Sequence, residues 1–272
     1  MVEAKKIVAL DLDGTVVHYD ETVDPELATA LQLLDRDPLT EVIIATGRSA
    51  ESTLKIVNLV GISPTWVICC NGAVILYRDP LASHGYRREH VETFDPKSVL
   101  ELLYGKIPGA RLSVESADGV FYFTADIPFF TLPVERRQVD FAELVKIPAT
   151  RVVTLGDEER VTRLLTGAQL AGINHVFYSV GEVACLDIAP TGVSKASALK
   201  WVNGKLGVSR ANVFAAGDGH NDIDMFRWAG KYGTAVAMGQ AAPDVKAAAN
   251  RVTSEVGESG LLRALTDWHP LL

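Results

Sequence analysis

Short stretches of consecutive apolar, often β-branched residues recur along the 272-residue chain: Ile7–Leu10, Glu41–Ala45, Trp66–Cys70, Val213–Ala216 and Ala235–Met238. A strand with one wet face alternates apolar and polar residues, whereas a run that is apolar at successive positions has no wet face. Such runs predict strands of a parallel sheet covered on both sides. Helical segments fall between them. Pro25–Leu34 follows Asp24 as a candidate N-cap and keeps an apolar stripe through Leu27, Ala30, Leu31 and Leu34. Ser49–Val60 stops at Gly61 and Ser194–Leu206 at Gly207, both suited to a C-cap. Strand alternating with helix defines a doubly wound α/β layer.

The middle of the chain has a different rhythm. Between residues 85 and 188 strand-like pieces follow one another closely, at Ala110–Val114, Val120–Thr124, Arg151–Leu155, His175–Val180 and Val183–Ile188. Ser116–Gly119 and Val180–Glu182 are candidate hairpin turns. Pro96–Tyr104 and Asp157–Ala171 are candidate helices. The α/β punctuation resumes after Pro190. The expectation is a core from residues 1–84 and 189–272 that carries an inserted α+β domain at 85–188.

A formal charge of −8 argues against a general nucleic-acid or anionic-membrane binder. No stretch approaches the ~18 apolar residues of a membrane-spanning helix, and Asp11 cuts Ile7–Leu10 too short for a secretory leader. Cys69, Cys70 and Cys185 have neither disulfide-framework nor zinc-ligand spacing. They read as buried reduced thiols, as expected in the cytoplasm.

Chemistry concentrates where the apolar runs end. Ile7–Leu10 runs into Asp11-Leu-Asp13-Gly14-Thr15, and open α/β sheets bind ligands at the carboxyl ends of their strands. Strand alternation would turn Asp11 and Asp13 to one side. Two carboxylates so placed repel unless a divalent cation or different protonation roles separate them. An Asx-turn accounts for a lone Asp-x-Asp but not for the flanking apolar run and Gly-Thr. Val213–Ala216 likewise ends in Gly217-Asp218-Gly219-His220-Asn221-Asp222. Hard oxygen ligands gathered at a strand end suit Mg²⁺; a helix N-cap explains one such acid, not a second cluster. Thr46-Gly47-Arg48 supplies a hydroxyl and a backbone N–H before a helix, either an anion site or a plain N-cap. Lys195 lies in a first helical turn, where the macrodipole disfavours a cation unless it faces an anion. Gly217–Asp222 departs from a dinucleotide fingerprint because Asp222 stands where the last glycine belongs.

Together these segments resemble the four motifs of the haloacid dehalogenase (HAD) superfamily of phosphohydrolases, in family order. Asn71-Gly72-Ala73, and Met225 three residues after Asp222, are similar to its Cof-type branch, subfamily IIB. The resemblance implies a Rossmann-like core with a C2B-type cap inserted between the second and third motifs. It also implies Asp11 as nucleophile and Asp13 as general acid and base. Asp11, the Asp13 carbonyl and Asp218 would hold Mg²⁺, and Asp222 would orient water or Lys195. Thr46, Gly47, Arg48, Lys195 and Asn221 would bind the phosphoryl group.

The implied activity is a Mg²⁺-dependent phosphatase acting on a small phosphorylated metabolite such as a sugar phosphate. A phosphomutase of the same fold and a catalytically silent sugar-phosphate binder are the alternatives. Asp13 favours phosphate chemistry over carbon–halogen cleavage, since dehalogenase members lack that second acid. The cap is expected to set specificity. Its basic residues, Arg87, Arg88, Arg111, Arg136, Arg137 and Arg151, read as solvated charges, and Phe121–Phe123 as cap core.

Overall fold

The computed structural model describes residues 5–125, 135–157, 159, 174–180 and 183–272. In chain order the elements are β1 (Lys6–Leu10), α1 (Pro25–Arg36), β2 (Thr40–Ala45), α2 (Ala50–Val60), β3 (Trp66–Cys69), β4 (Val74–Arg78) and β5 (Tyr86–Val91). Next come α3 (Lys97–Lys106), β6 (Arg111–Ser116), β7 (Phe121–Phe123), β8 (Arg136–Gln138), α4 (Phe141–Leu144), β9 (Ala149–Asp157), β10 (Asn174–Val180) and β11 (Val183–Ala189). The chain then forms α5 (Lys195–Leu206), β12 (Val213–Gly217), α6 (Ile223–Ala229), β13 (Thr234–Ala237), α7 (Pro243–Ala248), β14 (Arg251–Val252) and α8 (Gly260–Trp268).

The first sheet has the order β14-β13-β12-β1-β2-β3-β4-β5. It is parallel from β14 to β3, and β4 folds back antiparallel on β3. Strand β1 lies centrally and is buried from Ile7 to Leu10. Ile7 and Ala9 pack with Ile43, Ile68, Leu199, Val202 and Phe226 on one face. Val8 and Leu10, turned to the opposite face, are equally inaccessible, which is why the run cannot alternate.

The helix signals act as the sequence implies. The Asp24 side chain accepts from Glu26 N–H, Ser49 caps α2, and Gly61 closes α2 in the left-handed conformation. Trp66–Cys70 stops one residue short as a strand, because Cys70 takes φ 51° and begins a turn.

The chain divides into two compact units, Met1–Glu89 with Ser194–Leu272, and His90–Val193. The sequence reading began the insertion at residue 85, but Tyr86–Val91 forms the edge strand of the first sheet. Arg87 and Arg88 accordingly belong to the first unit, not the insertion. Arg88 pairs with Glu51 at 3.2 Å.

The second unit is a sheet of order β10-β11-β9-β6-β7-β8. Its strands are antiparallel except for the β7–β8 pair. One face buries Leu112, Val114, Val152, Leu186 and Ile188 against Leu100 and Leu103 of α3. Arg151, expected to be solvated, is buried and donates to Glu115 at 2.8 Å, with Asp187 at 3.3 Å. Asp157 closes β9; of the helix expected over Asp157–Ala171, and of the Val180–Glu182 turn, the remainder lies largely outside the described residues.

Candidate active site

Segments that follow the carboxyl ends of β1, β2 and β12 carry the candidate residues other than Lys195, which opens α5. Asp11 continues β1 for one step, donating its N–H to Ala216 O at 3.0 Å. The chain then turns sharply, and Leu12 O accepts from the N–H groups of Thr15, Val16 and Val17. Strand alternation therefore does not reach Asp13: the strand has ended before it. Gly14 is required in this turn. It takes φ 73°, and a Cβ there would collide with the Asp218 carboxylate.

Lys195 is the first residue of α5, held there by a reciprocal capping box between Ser194 and Ser197. It is wholly buried, and its Nζ lies 2.6 Å from Asp11 Oδ1 and 2.7 Å from Asp222 Oδ1. A buried ammonium is tolerable only when paired. Burial opposes the charge of Lys195, but Asp11 and Asp222 outweigh it and hold the ammonium above the ordinary lysine range. Burial pushes the Asp11 carboxyl well up; Lys195 pulls it down, while Asp222 and Asp218 push it higher. The Asp218 carboxyl is raised by burial, against the hydrogen bonds from Tyr19 and Gln240.

Carboxylate oxygens of Asp11, Asp218 and Asp222 lie within 4.8 Å of one another. Hard carboxylate oxygens gathered in this way are the donor type that Mg²⁺ takes. Three carboxylates facing one ammonium also leave a charge deficit that a divalent ion would fill. Asp222 uses Oδ1 for Lys195 and Oδ2 for Gly219 N–H at 2.9 Å. Asp11 Oδ2 and Asp218 Oδ1 accept no hydrogen bond among the described residues, so they are the oxygens best placed to take an ion.

The structure pairs Asp13 with Arg48. The Asp13 carboxylate lies outside this cluster, gripped by Arg48 through Nε–Oδ2 at 2.8 Å and Nη2–Oδ1 at 2.5 Å. Arg48, expected among the phosphate-binding groups, spends its guanidinium on Asp13, on Glu21 at 2.7 Å and on Ser52 at 3.3 Å. Thr46 is buried and its Oγ1 accepts from Arg48 N–H. Asn221 Nδ2 donates to Asn71 Oδ1 at 2.9 Å. His220 is an exposed loop residue beside Asp244.

Sequence reasoning missed Tyr19, Glu21 and Gln240. The Tyr19 hydroxyl donates to Asp218 Oδ2 at 2.6 Å. Gln240 Nε2 spans Gly14 O at 2.5 Å and Asp218 Oδ2 at 3.1 Å, while its Oε1 accepts from Val256 N–H. Gln240 lies three residues beyond β13, so the strand-end rule that found Asp11 and Asp218 also reaches it. Glu21, in a left-handed turn at φ 65°, bridges Arg48 and Lys55 and has no comparable sequence signal.

A parallel core sheet with acids at its strand ends and a buried lysine between them defines a hydrolase of the phosphoryl-transfer type. The family model described as haloacid dehalogenase-like hydrolase matches residues 8–265, and the chain belongs to that family. It is a phosphatase of the Cof-type branch. Similar proteins include phosphatase YwpJ of Bacillus subtilis, 27% identical, with 94% of this chain and 97% of that one covered. Another is the 5-amino-6-(5-phospho-D-ribitylamino)uracil phosphatase YitU of the same organism, 27% identical over 97% and 98% of the two chains. Among solved structures, BT1666 from Bacteroides thetaiotaomicron is 26% identical with a TM-score of 0.75, covering 99% of this chain and 96% of that one. The subclass IIB sugar phosphatase BT4131 is 22% identical with a TM-score of 0.77, covering 98% and 100% of the two chains. That last likeness is one of fold.

Proposed function

We propose that the protein is a Mg²⁺-dependent phosphomonoesterase that passes the phosphoryl group of a small phosphorylated metabolite to Asp11 and then to water. The observation that carries this reading is the convergence of Asp11, Asp218 and Asp222 around a single buried ammonium, Lys195. Asp11, the Asp13 carbonyl and Asp218 would hold the metal. When bound it would offset negative charge among these acids and the phosphoryl oxygens.

Lys195 engages Oδ1 of Asp11, and the Asp11 carboxylate attacks phosphorus as the bond from phosphorus to the leaving oxygen breaks. Asp13, protonated when one arm of the Arg48 fork opens, supplies the proton that the leaving oxygen needs. It then takes one from water, whose oxygen attacks phosphorus and releases Asp11 and inorganic phosphate. Arg48 fixes the direction of Asp13 rather than binding phosphate. Thr46, the Gly47 N–H, Lys195 and Asn221 stabilise the equatorial oxygens. Asp222 orients Lys195.

A sugar phosphate or a related phosphorylated polyol is the substrate class we assign, supported by the similarity to the phosphoribitylamino-uracil phosphatase YitU. We assign discrimination among such substrates to the inserted unit, His90–Val193. The same reading assigns the enzyme to the cytoplasm, supported by three buried cysteines without disulfides.

The test is phosphate release from sugar phosphates, phosphoglycolate, nucleotides and p-nitrophenyl phosphate, with Mg²⁺ and with EDTA. Metal-dependent release that ranks sugar phosphates first supports the reading. Release only after a sugar bisphosphate primer is added would mark a mutase. Binding of sugar phosphate without release would mark a regulator.

A further inference from the structure

The segment that follows β3, Cys70-Asn71-Gly72, has three successive residues at positive φ: 51°, 53° and 103°. Left-handed backbone is uncommon outside glycine, tolerated best by asparagine, and persists in a run only where the surroundings fix it. Cys70 and Asn71 are both buried. The surroundings that fix this turn are parts of the active site.

Its backbone clasps the second motif from both ends. Asn71 N–H donates to Thr46 O at 3.0 Å and Cys70 N–H to Arg48 O at 2.8 Å, while Thr46 N–H donates back to Ile68 O. Gly72 abuts the start of the lysine helix so closely that a Cβ there would collide with the Ser194 carbonyl. The Asn71 side chain completes the junction. Its Oδ1 accepts from Asn221 Nδ2 at 2.9 Å, across 150 residues of sequence. The same amide packs on Gly47, where a Cβ would stand 3.2 Å from Oδ1.

We propose that Asn71 is a positioning residue for phosphoryl binding. It sets the amide of Asn221 and the backbone of Gly47 relative to one another, so that both address one anion. The inference rests on the phosphatase reading above and adds a residue to which that reading gives no role. Asparagine suits the task because it accepts the left-handed backbone and carries an acceptor at the right reach.

The test uses the full chain with Mg²⁺ and reads inhibition by orthovanadate and inorganic phosphate alongside kcat, KM and Tm. Asn71→Gly keeps the left-handed backbone and deletes the amide. The expected result is a roughly fivefold to tenfold weaker inhibition constant for both anions, the worth of one hydrogen bond, with little change in Tm. Asn221→Ala should weaken binding similarly, and the double variant should be no worse than the weaker single one, because the two act as a unit. Asn71→Ser, too short to reach Asn221, gives the same readout if the glycine variant does not fold.

Unchanged inhibition constants, penalties that simply add, or a lower Tm with intact anion binding would each overturn the inference. Wild-type protein that neither hydrolyses phosphomonoesters nor binds either anion would overturn the phosphatase reading itself and this inference with it. Anion binding by the wild type that Asn71→Gly retains would overturn the inference alone.

Discussion

Arg48 holds both carboxylate oxygens of Asp13, through Nε at 2.8 Å and Nη2 at 2.5 Å. The fork joins the residue after the second strand's glycine turn to the second acid of the first strand's loop, and Glu21 steadies it from behind at 2.7 Å. Because the Asp13 side chain is 38% exposed, solvent screens the pair. A double-mutant cycle of Arg48→Gln and Asp13→Asn should give a coupling of only about 1 kcal/mol, falling with added salt. Chemical denaturation at low and high ionic strength reads it. A coupling that salt does not touch would contradict the exposed-fork description.

Lys195 presents the opposite case, a wholly buried ammonium between Asp11 and Asp222. Lys195→Met should destabilise the protein by about 3 kcal/mol or more, since two buried carboxylates lose their partner. Mg²⁺ should return part of that loss, because a ligand bound by the folded state alone stabilises it. Thermal unfolding with and without Mg²⁺ checks both.

Gln240 ties Asp218 to the Gly14 carbonyl and is itself anchored by Val256 N–H. Gln240→Ala should weaken Mg²⁺ binding about tenfold, the usual cost of losing a residue that orients a metal ligand. Calorimetric titration of the resting protein measures this without any turnover.

His269 gives a pH dependence of stability independent of the active site. It is buried, its Nδ1 faces Leu271 N–H, and its Nε2 lies 2.9 Å from Thr40 Oγ1. Burial and the Lys6 charge lower its pKa below 6.5, against Asp37. The neutral ring is thus the folded form. The stabilisation is fully present above the unfolded value and is lost as the pH falls through 6.5 toward the lower folded value. His269→Gln should remove this limb. Denaturation midpoints compared between wild type and variant across that range would show parallel curves if His269 does not titrate on unfolding.

Much of the core was legible because burial on both faces leaves no choice of residue type. Ile7–Leu10 and Val213–Ala216 read as strands, and the acids that end them followed. The caps at Asp24, Gly61 and Gly207 were equally direct, whereas Ser49 and Ser194, read as first helical residues, are the N-caps one position before each helix. The Val74–Arg78 and Tyr86–Val91 strands were not, since the edge strand alternates polar residues and short turns precede both. Within the site, sequence could gather acids at strand ends but could not choose partners for Arg48. Whether that guanidinium meets substrate or Asp13 depends on a turn that begins at Leu12, and no local pattern encodes it.

The central claim is that Asp11 carries the phosphoryl group. Acid quenching during turnover of p-nitrophenyl phosphate with Mg²⁺, followed by intact-protein and peptide mass measurement, tests it most directly. The account predicts one added phosphoryl group on the peptide containing Asp11, removed by hydroxylamine and absent in a folded, inactive Asp11→Asn variant. Steady turnover by Asp11→Asn, or a label on any other residue, would contradict it.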